Sequence, residues 1–315
     1  MLRCSLLGLT GVGALVGCSS NSSNSSNNSS TTSANTSSEA KPANESSSQA
    51  NGEDLRIVTL NTGQLETALA FGFLPVGLAL AKATSRASEG VPDFVKEEFG
   101  GQFDLDSITI VGERTAPDVE KILTLEPDLI LTNKRVDEAI LKKLEAIAPV
   151  VLTNGGGENW KEDLRIMGEA LGKEEVAASM LKEYEDKAAD FAKKNSAHPT
   201  VSLLRNKGDE YVMHGNRSLA GIVARDCGFH RPASQDFEDE QHKAVSPENL
   251  DVLEADYMFY GFTKAGQALE ESTFWKDLNV VKDGNAHAVD VEPWYLNASV
   301  VAANRVMADM QKPIG

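Results

Sequence analysis

One short sequence pattern occurs twice in the chain, and it restricts the possible folds more than any other feature. Residues 120–131 and 248–259 each begin with Glu and continue with Leu, Glu and Asp at the same offsets, before three apolar residues. A helix that ends in a short loop and leads into a buried parallel strand has this pattern. The repeat therefore predicts two lobes built on one plan, each displaying one glutamate, Glu120 or Glu248, at the same place.

The composition is that of a folded, globular protein with a large negative charge. The chain has 315 residues, of which 41% are apolar and 24% charged, and this length allows two domains of ordinary size. Acidic residues outnumber basic ones by 47 to 30, which gives a formal charge of −17. This balance argues against a nucleic-acid partner, because phosphate binding needs a basic face. The acidic surplus favours solubility.

The N-terminus has the features of a targeting segment. Arg3 precedes an apolar run, Leu6–Val16, which is too short to span a bilayer comfortably. The run leads into Leu15-Val-Gly-Cys18, which resembles the bacterial lipobox, where the signal is cut before Cys and the thiol receives a diacylglycerol. We therefore predict a signal peptide over residues 1–17, lipidation of Cys18, and an extracytoplasmic protein anchored to the bacterial cell membrane. The alternative is ordinary secretory cleavage nearby.

The segment that follows the signal peptide is predicted to be a tether. Residues 18–53 consist almost entirely of Ser, Asn, Thr, Ala and Glu, and such a composition cannot bury a core. We expect a disordered linker that lets the folded part move above the membrane. Beyond it only Cys227 remains of the three cysteines, so we expect no internal disulfide and a buried, unreactive thiol.

Alternating strand and helix patterns fill the rest of the chain. Residues 54–172 predict an α/β lobe with a mainly parallel sheet. Residues 173–196 lack Pro and Gly and carry apolar residues at helical spacing, which predicts one long helix. A second α/β pattern occupies residues 197–315. The predicted fold class is α/β, with two lobes whose mainly parallel sheets are flanked by helices and joined by the single interlobe helix.

Several short motifs follow one another along the folded part. They are Arg56–Leu60, Pro75–Gly77, Val111–Pro117, Leu125–Ile130, Val245–Glu248 and Phe274–Trp275. In the order and spacing of these motifs, residues 55–312 resemble the substrate-binding proteins of bacterial iron-siderophore and cobalamin ABC importers. The resemblance implies the helical-backbone, or class III, periplasmic binding protein fold, with the ligand held in the cleft between the lobes.

The same resemblance implies a function and a set of partners. We expect a ferric siderophore to bind without covalent chemistry, so the protein is not an enzyme, has no cofactor, and binds no metal directly through its side chains. The expected partners are an ABC permease dimer with its ATPase subunits, the ferric siderophore and, through the lipid anchor, the membrane. We expect the protein to be a monomer.

Glu120 and Glu248 match the two docking glutamates of the family. In the family these glutamates pair with arginines on the two permease subunits. One carboxylate on each lobe fixes orientation on a two-fold partner better than it adds affinity. The resemblance therefore implies that both glutamates face the permease.

Two arginines are candidates for contact with the ligand. Arg114 lies in a stretch that resembles the ferric-hydroxamate-binding proteins, whose arginine contacts the siderophore oxygens. A guanidinium offers paired donors to such oxygens and stays charged. Arg205 follows the first predicted strand of the second lobe, and strand ends in α/β sheets face the crevice.

Aromatic residues supply the remaining ligand candidates. Trp294 and Tyr295 precede the C-terminal helix, where members of the family often have an aromatic residue that stacks on the ligand. Tyr211 and His214 lie on a predicted hairpin or loop and are weaker candidates. Asp239–Lys243 stands where the hydroxamate binder has an aromatic residue, so we expect a more polar pocket, and hydroxamate specificity is in doubt.

Other functions are open or disfavoured. Haem or cobalamin remains an alternative ligand, because proteins of this fold bind siderophores, haem and cobalamin. A direct zinc or manganese binder would need converging histidines and carboxylates, but the five histidines are scattered. A surface adhesion or sensor lipoprotein would not need the docking glutamates. A cleft enzyme is disfavoured because no nucleophile elbow, zinc-protease motif or P-loop is present, and Gly155–Gly157 is interpreted as a flexible turn.

Overall fold

Two β-sheets organise the chain, one from its first part and one from its second. The computed structural model describes residues 55–81 and 90–314. The predicted signal peptide, Cys18 and the predicted tether lie outside the described residues. Within those two ranges, no helix is long and apolar enough to cross a membrane.

The first sheet is mainly parallel. Its strands are β1 Ile57–Thr59, β2 Gly77–Leu80, β3 Thr109–Glu113, β4 Ala116–Pro117, β5 Leu129–Asn133 and β6 Val150–Thr153. They lie in the order β4-β3-β2-β1-β5-β6, and only β4 pairs antiparallel. The three central strands are short apolar runs that are almost completely buried, as expected for parallel strands covered on both faces. The helices of this part are α1 Thr62–Ala70, α2 Asp93–Phe99, α3 Val119–Thr124, α4 Glu138–Glu145 and α5 Trp160–Ala170.

One long helix, α6 (Glu174–Lys194), connects the two sheet-forming parts. Its 21 residues give a rod of roughly 30 Å. The buried side chains recur at helical spacing, and they are Ala177, Leu181, Tyr184, Ala188 and Phe191. The rings of Tyr184 and Trp160 meet edge to face with their centroids 4.8 Å apart, so α6 is held against α5 by a specific aromatic contact.

The second sheet is mixed rather than mainly parallel. Its strands are β7 Val201–Lys207, β8 Glu210–His214, β9 His242–Val245, β10 Tyr257–Gly261 and β11 Ala286–Ala288. They lie in the order β11-β10-β7-β8-β9. The pairs β7–β10 and β10–β11 are parallel, whereas β7–β8 and β8–β9 are antiparallel. A tight hairpin joins β7 to β8, which explains the change of direction. The helices of this part are α7 Leu219–Asp226, α8 Thr273–Asp277, α9 Asn279–Lys282 and α10 Val300–Gln311.

The C-terminal helix touches both parts of the molecule. Helix α10 packs against α1, α5 and α6 as well as against α7. The lobe boundaries at residues 54–172, 173–196 and 197–315 remain a prediction.

The sequence repeat marks the same position in both sheets. Asp128 and Asp256 each precede a strand that pairs in parallel with the first strand of its sheet. The Asp128 Oδ2 accepts the backbone N–H of Arg56 at 2.9 Å, and the Asp256 Oδ2 accepts that of Thr200 at 2.7 Å. Each aspartate therefore ties the start of one strand to the start of its neighbour, which accounts for its place in the repeat.

The two copies differ in the helix that the repeat predicted. The first copy forms α3, whose N-terminus is capped by Asp118 through its Oδ1 and the N–H of Lys121 at 3.0 Å. The second copy is not an α-helix: Pro247–Leu253 forms 3₁₀ turns with a kink at Asn249. Ser246 precedes these turns without a side-chain capping bond. A missing cap together with Asn and Asp residues, which compete for backbone hydrogen bonds, favours turns over a regular helix.

Cys227 has the environment that the sequence predicted. Its thiol is buried and free. Burial raises the pKa of this thiol to about 12. The thiolate, which is the reactive form, is therefore scarce at neutral pH.

Candidate functional site

A cleft of about 670 Å³ is lined by residues from both sheets. The first sheet contributes residues at or just beyond the C-terminal ends of β1, β5 and β6. The second contributes Arg205 and Lys207 from β7 and His214 from β8. Crevices at the carboxyl ends of parallel strands are where α/β proteins bind ligands, so this cleft is the candidate site.

Arg114 lies in the tight turn between β3 and β4 and lines the cleft. Its backbone N–H donates to the carbonyl of Leu80 at 2.8 Å. The turn depends on Gly112, whose φ of +95° is in the left-handed region, and a Cβ there would lie 3.1 Å from backbone atoms of the opposite strand. This geometry carries Arg114 to the mouth of the cleft, where its side chain is exposed.

The guanidinium of Arg114 has no direct acidic partner in the described part of the chain, although the charge of Glu292 acts on it. Among the described residues, its guanidinium forms no hydrogen bond and no ion pair. The walls of the cleft desolvate it, which lowers its pKa, while Glu292 raises and Arg135 lowers that pKa. Because arginine titrates far above neutral pH, Arg114 remains charged.

Arg205 lies inside β7, not after it as the sequence suggested, because the strand continues to Lys207. Side chains two positions apart on a strand share a face, so Arg205 and Lys207 both reach the cleft. Arg205 is only 8% exposed, and its Nε donates to the Nε2 of His214 at 3.2 Å. Burial lowers the pKa of Arg205, and the nearby charge of Arg114 lowers it further.

His214 is held as a neutral acceptor for Arg205. Burial lowers the pKa of His214 well below its usual value, and the positive charge of Arg205 adds to this effect. The backbone carbonyl of His214 accepts a hydrogen bond from Arg231 at 2.6 Å, and its ring lies 4.6 Å from that of Tyr295. On the second wall of the cleft, Arg205 is therefore held by His214, which in turn is held by Arg231 and Tyr295. The sequence indicated His214 only weakly and gave no signal for Arg231.

The two neighbouring aromatic candidates have different positions. Trp294 is fully buried, stacks on Phe259 with centroids 4.9 Å apart, and donates its ring N–H to Asp309 at 2.9 Å. The ring of Trp294 thus belongs to the core, although the residue adjoins the cleft. Tyr295 is half-buried and donates its hydroxyl to the carbonyl of Phe259 at 2.7 Å. Both residues lie in the π-helical turn Glu292–Leu296, and their ring centroids are 6.0 Å apart. Ligand contact by either residue remains a prediction.

Tyr211 is not among the residues that line the cleft. It lies on β8, where its hydroxyl donates to the carbonyl of Gly266 at 3.0 Å. Its ring lies 5.6 Å from that of Phe262. Burial raises the pKa of Tyr211. These contacts tie the sheet to a neighbouring loop, and a ligand contact for Tyr211 remains a prediction.

The glycine run 155–157 brings the two walls together on one side of the cleft. A Cβ on Gly157 would lie 2.4 Å from the backbone nitrogen of Leu219, so only glycine allows this approach. Next to it, Glu158 accepts a hydrogen bond from Arg217 at 2.8 Å and another from Gln241. The sequence indicated only a flexible turn here. A contact between distant parts of the chain has no signal in a single sequence.

Glu120 and Glu248 lie away from the cleft. Glu120 is in the first turn of α3 and Glu248 is at the start of the 3₁₀ turns that follow β9. Both are exposed, and within the described residues neither forms an ion pair or a side-chain hydrogen bond. Their role in docking remains a prediction.

Residues 55–81 and 90–314 contain no group of three or more His, Cys, Asp and Glu residues that could hold a metal ion. The five histidines fall in this part of the chain.

Comparison with known proteins decides the family. Residues 57–286 match the family model described as periplasmic binding protein. The chain belongs to this family. Its fold class is therefore the predicted one, an α/β protein in which a long helix joins two sheet-forming parts. One relative in the family, named "Probable siderophore-binding lipoprotein YfiY" in Bacillus subtilis (strain 168), is 31% identical over 290 residues, which cover 86% of each chain.

Solved structures of the family share the fold of this chain. Staphylococcus aureus SirA complexed with staphyloferrin B is 27% identical and has a TM-score of 0.69, covering 82% of this chain and 92% of that one. FeuA from Bacillus subtilis, a triscatecholate siderophore-binding protein complexed with ferri-bacillibactin, is 22% identical with a TM-score of 0.68, covering 84% and 95%. FeuA supports the fold alone at this identity.

Proposed function

We propose that this protein captures a ferric siderophore in the cleft between its two sheets and delivers it to an ABC importer. It acts as a binding protein and not as an enzyme: the ligand binds without covalent change, and the transporter supplies the energy. The protein functions outside the cytoplasm, as members of a periplasmic binding protein family do. The proposal fits a relative that is named as a probable siderophore-binding lipoprotein.

The observation that carries the proposal is the joint lining of the cleft by the two parts of the chain. Arg114 reaches it from the first sheet and Arg205 from the second. A ligand between them would contact both walls at once. Guanidinium groups donate to several oxygens in fixed directions, which suits a chelate whose iron is already surrounded by oxygen atoms.

Delivery and anchoring extend the proposal. Exposed carboxylates at the same position of both repeat copies, Glu120 and Glu248, would pair with basic residues on a two-fold permease. Lipidation of Cys18 would keep the protein at the membrane, and two acyl chains on one residue suffice for stable anchoring. Serine in place of Cys18 should release the protein from membranes, as measured by fractionation.

Titration of the purified protein with ferric siderophores, haem and cobalamin tests the proposal. Trp160 and Trp294 adjoin the cleft, so we expect their fluorescence to change when a ferric siderophore binds. Binding of haem or cobalamin alone, with no response to any ferric siderophore, would contradict the proposed function. Iron-free siderophores serve as the matched control.

A further inference from the structure

The family does not determine which kind of ferric siderophore binds, but the charges of the cleft discriminate among the kinds. This inference rests on the proposed function. Ferric chelates differ in net charge: trihydroxamate chelates can be neutral, whereas polycarboxylate and tris-catecholate chelates are anionic. The charge that the cleft leaves unpaired therefore indicates the charge of the cargo.

Three cationic side chains line the cleft without an ion-paired carboxylate in the described part of the chain, although the charge of Glu292 acts on one of them, Arg114. They are Arg114, Arg205 and Lys207. Across the described ranges, none of the three forms an ion pair. Such a cluster is unexpected in a chain with 47 acidic and 30 basic residues. The charge of Arg114 also lowers the pKa of Arg205, so the two guanidinium groups repel each other. Repulsion of this kind is relieved by an anion placed between them.

The acidic residues near the cleft are already engaged. Asp163 accepts the backbone N–H groups of Asn154 and Gly155 at 2.7 and 2.9 Å. Asp137 caps α4 through the N–H groups of its first turn. Glu158 accepts a hydrogen bond from the guanidinium of Arg217 at 2.8 Å. None of these carboxylates lies within ion-pair distance of the three cationic side chains. Glu292 raises the pKa of Arg114 but forms no ion pair with it, so the positive charge of the cluster is only partly compensated.

The direction of Arg205 is fixed before any ligand arrives. Its Nε is committed to His214, and its two terminal nitrogens donate to no described residue. Both terminal nitrogens are therefore available to an acceptor in the cleft. A neutral His214 can hold this arrangement across the physiological pH range, because its pKa is well below its usual value. Positioning in advance reduces the entropy lost on binding.

The lining favours carboxylate groups over aromatic ones. The rings of Trp160 and Trp294 are almost fully buried, and the ring of Tyr295 is engaged with His214. Little aromatic surface is left for stacking on catechol rings. Hydroxyl and amide side chains such as Thr115 and Asn133 line the cleft instead, and arginine pairs with carboxylates through two parallel hydrogen bonds.

We infer that the cargo is an anionic ferric chelate of the polycarboxylate class, held between Arg114 on one wall and Arg205 and Lys207 on the other. His214 acts as a positioning residue that aims Arg205 at the chelate. The protein would thus discriminate by charge against neutral trihydroxamate chelates.

Titration of the full chain with three ferric chelates tests this inference. The probes are ferric dicitrate, a ferric tris-catecholate and a neutral ferric trihydroxamate, with iron-free citrate as the control for the carboxylate alone. We expect ferric dicitrate to bind most tightly and the trihydroxamate at least about 100-fold more weakly, the effect of roughly two charge-assisted hydrogen bonds.

Variants of the two arginines place the effect in the cleft. Arg114→Gln and Arg205→Gln should each weaken ferric dicitrate binding by about 10- to 100-fold, and Arg205→Lys should recover part of this loss. Arg165→Gln is the matched control, since Arg165 is an exposed residue of α5 whose partner is Glu162, and it should leave the affinity unchanged. Should Arg205→Gln fail to fold, the exposed position of Arg114 keeps the test available.

Each outcome has a distinct meaning. Tight binding of the neutral trihydroxamate with weak binding of ferric dicitrate would overturn the inference and leave the proposed function standing. Preference for the tris-catecholate would overturn the carboxylate assignment. Equal affinities in Arg114→Gln and wild type would also refute it. A response to haem or cobalamin alone would instead contradict the proposed function itself.

Discussion

The cleft and the two repeat glutamates differ in the sign of the charge that they leave unpaired. Among the described residues, Arg114 and Arg205 face the cleft without an ion-paired carboxylate, although Glu292 raises the pKa of Arg114. Glu120 and Glu248 are exposed on the outside and, in the same part of the chain, have no basic partner. Under the proposed function, the positive charges of the cleft would meet the cargo and the two exposed glutamates would meet the importer.

The difference also shows why net charge is a poor guide to this protein. A formal charge of −17 describes the surface as a whole, whereas the ligand meets only the cleft. Pairing, and not composition, determines which charges remain available to a partner. Capture and delivery should therefore be separable by mutation, as the positions of these charges imply.

The largest expected effect is the loss of uptake when both repeat glutamates are removed. Glu120→Ala combined with Glu248→Ala should abolish siderophore-dependent iron uptake in cells, because both contacts with the permease are lost. The affinity of the purified protein for its ligand should stay unchanged, since neither residue lines the cleft. Iron uptake measured in cells tests the loss of transport, and fluorescence titration of the purified protein tests the unchanged affinity.

Glu183→Ala is the matched control for this double variant. Glu183 is likewise exposed, on α6, and we expect normal uptake from this variant. Normal uptake by the Glu120→Ala, Glu248→Ala double variant would contradict a docking role for these residues. A parallel loss of ligand affinity would show that capture and delivery are not separable.

The next largest effect is expected on stability, from replacing Glu66, a buried acid on α1. It is fully buried and accepts the hydroxyl hydrogen of Ser299, the residue that caps α10. Burial raises the pKa of Glu66 from 4.5 to about 8. The folded protein therefore keeps this proton between pH 4.5 and 8 whereas the unfolded chain loses it, so stability falls as pH rises through this window.

Glu66→Gln should remove that loss, because an amide has the shape of the protonated carboxyl and does not titrate. We expect the variant to gain roughly 2–4 kcal/mol over wild type at pH 8 and to differ little near pH 4.5. Urea unfolding at both pH values measures this difference. A variant that is less stable than wild type at pH 8 would show that Glu66 is ionised in the folded protein.

A smaller effect is expected at Glu158, which joins the two walls beside the cleft. Burial alone would raise the pKa of Glu158, but its hydrogen bonds, including those from Gln241 and Arg217, lower it overall. Its contribution is therefore present at neutral pH and is lost as pH falls through the lowered pKa. Glu158→Gln should cost about 1–2 kcal/mol in urea unfolding at pH 7. Glu162→Gln, an exposed neighbour on α5, should cost less than about 0.5 kcal/mol.

The smallest expected effect is that of salt on ligand binding. If the cleft attracts an anionic chelate, raising the salt concentration from about 0.05 to about 0.5 M should weaken ferric dicitrate binding several-fold. The affinity of a neutral chelate should not change. Salt dependence that persists in the Arg114→Gln, Arg205→Gln double variant would assign the attraction to other residues.

The sequence was most informative where function and fold depend on nearby residues. The repeat located Asp128 and Asp256, whose structural roles are equivalent. Each accepts a backbone N–H at the start of the neighbouring strand. The repeat also predicted an α-helix in the second copy, which was wrong. That segment forms 3₁₀ turns with a kink at Asn249 and has no side-chain cap, and the repeat pattern carries no information about capping.

Contacts between distant residues could not be predicted from one sequence. The bond from Arg205 to His214 depends on the register of β7 with β8, and the bond from Arg217 to Glu158 joins residues far apart in the chain. The direction of the Trp294 ring depends on a π-helical turn. Each of these features becomes visible only when the sheets are assembled.

Anomalous diffraction at the iron edge from crystals grown with ferric dicitrate tests the central claim most directly. We expect one iron site in the cleft, between Arg114 and Arg205, with citrate oxygens and not protein side chains as the iron ligands. Iron bound directly by protein side chains, or a chelate lying outside the cleft, would contradict capture of a ferric siderophore between the two walls.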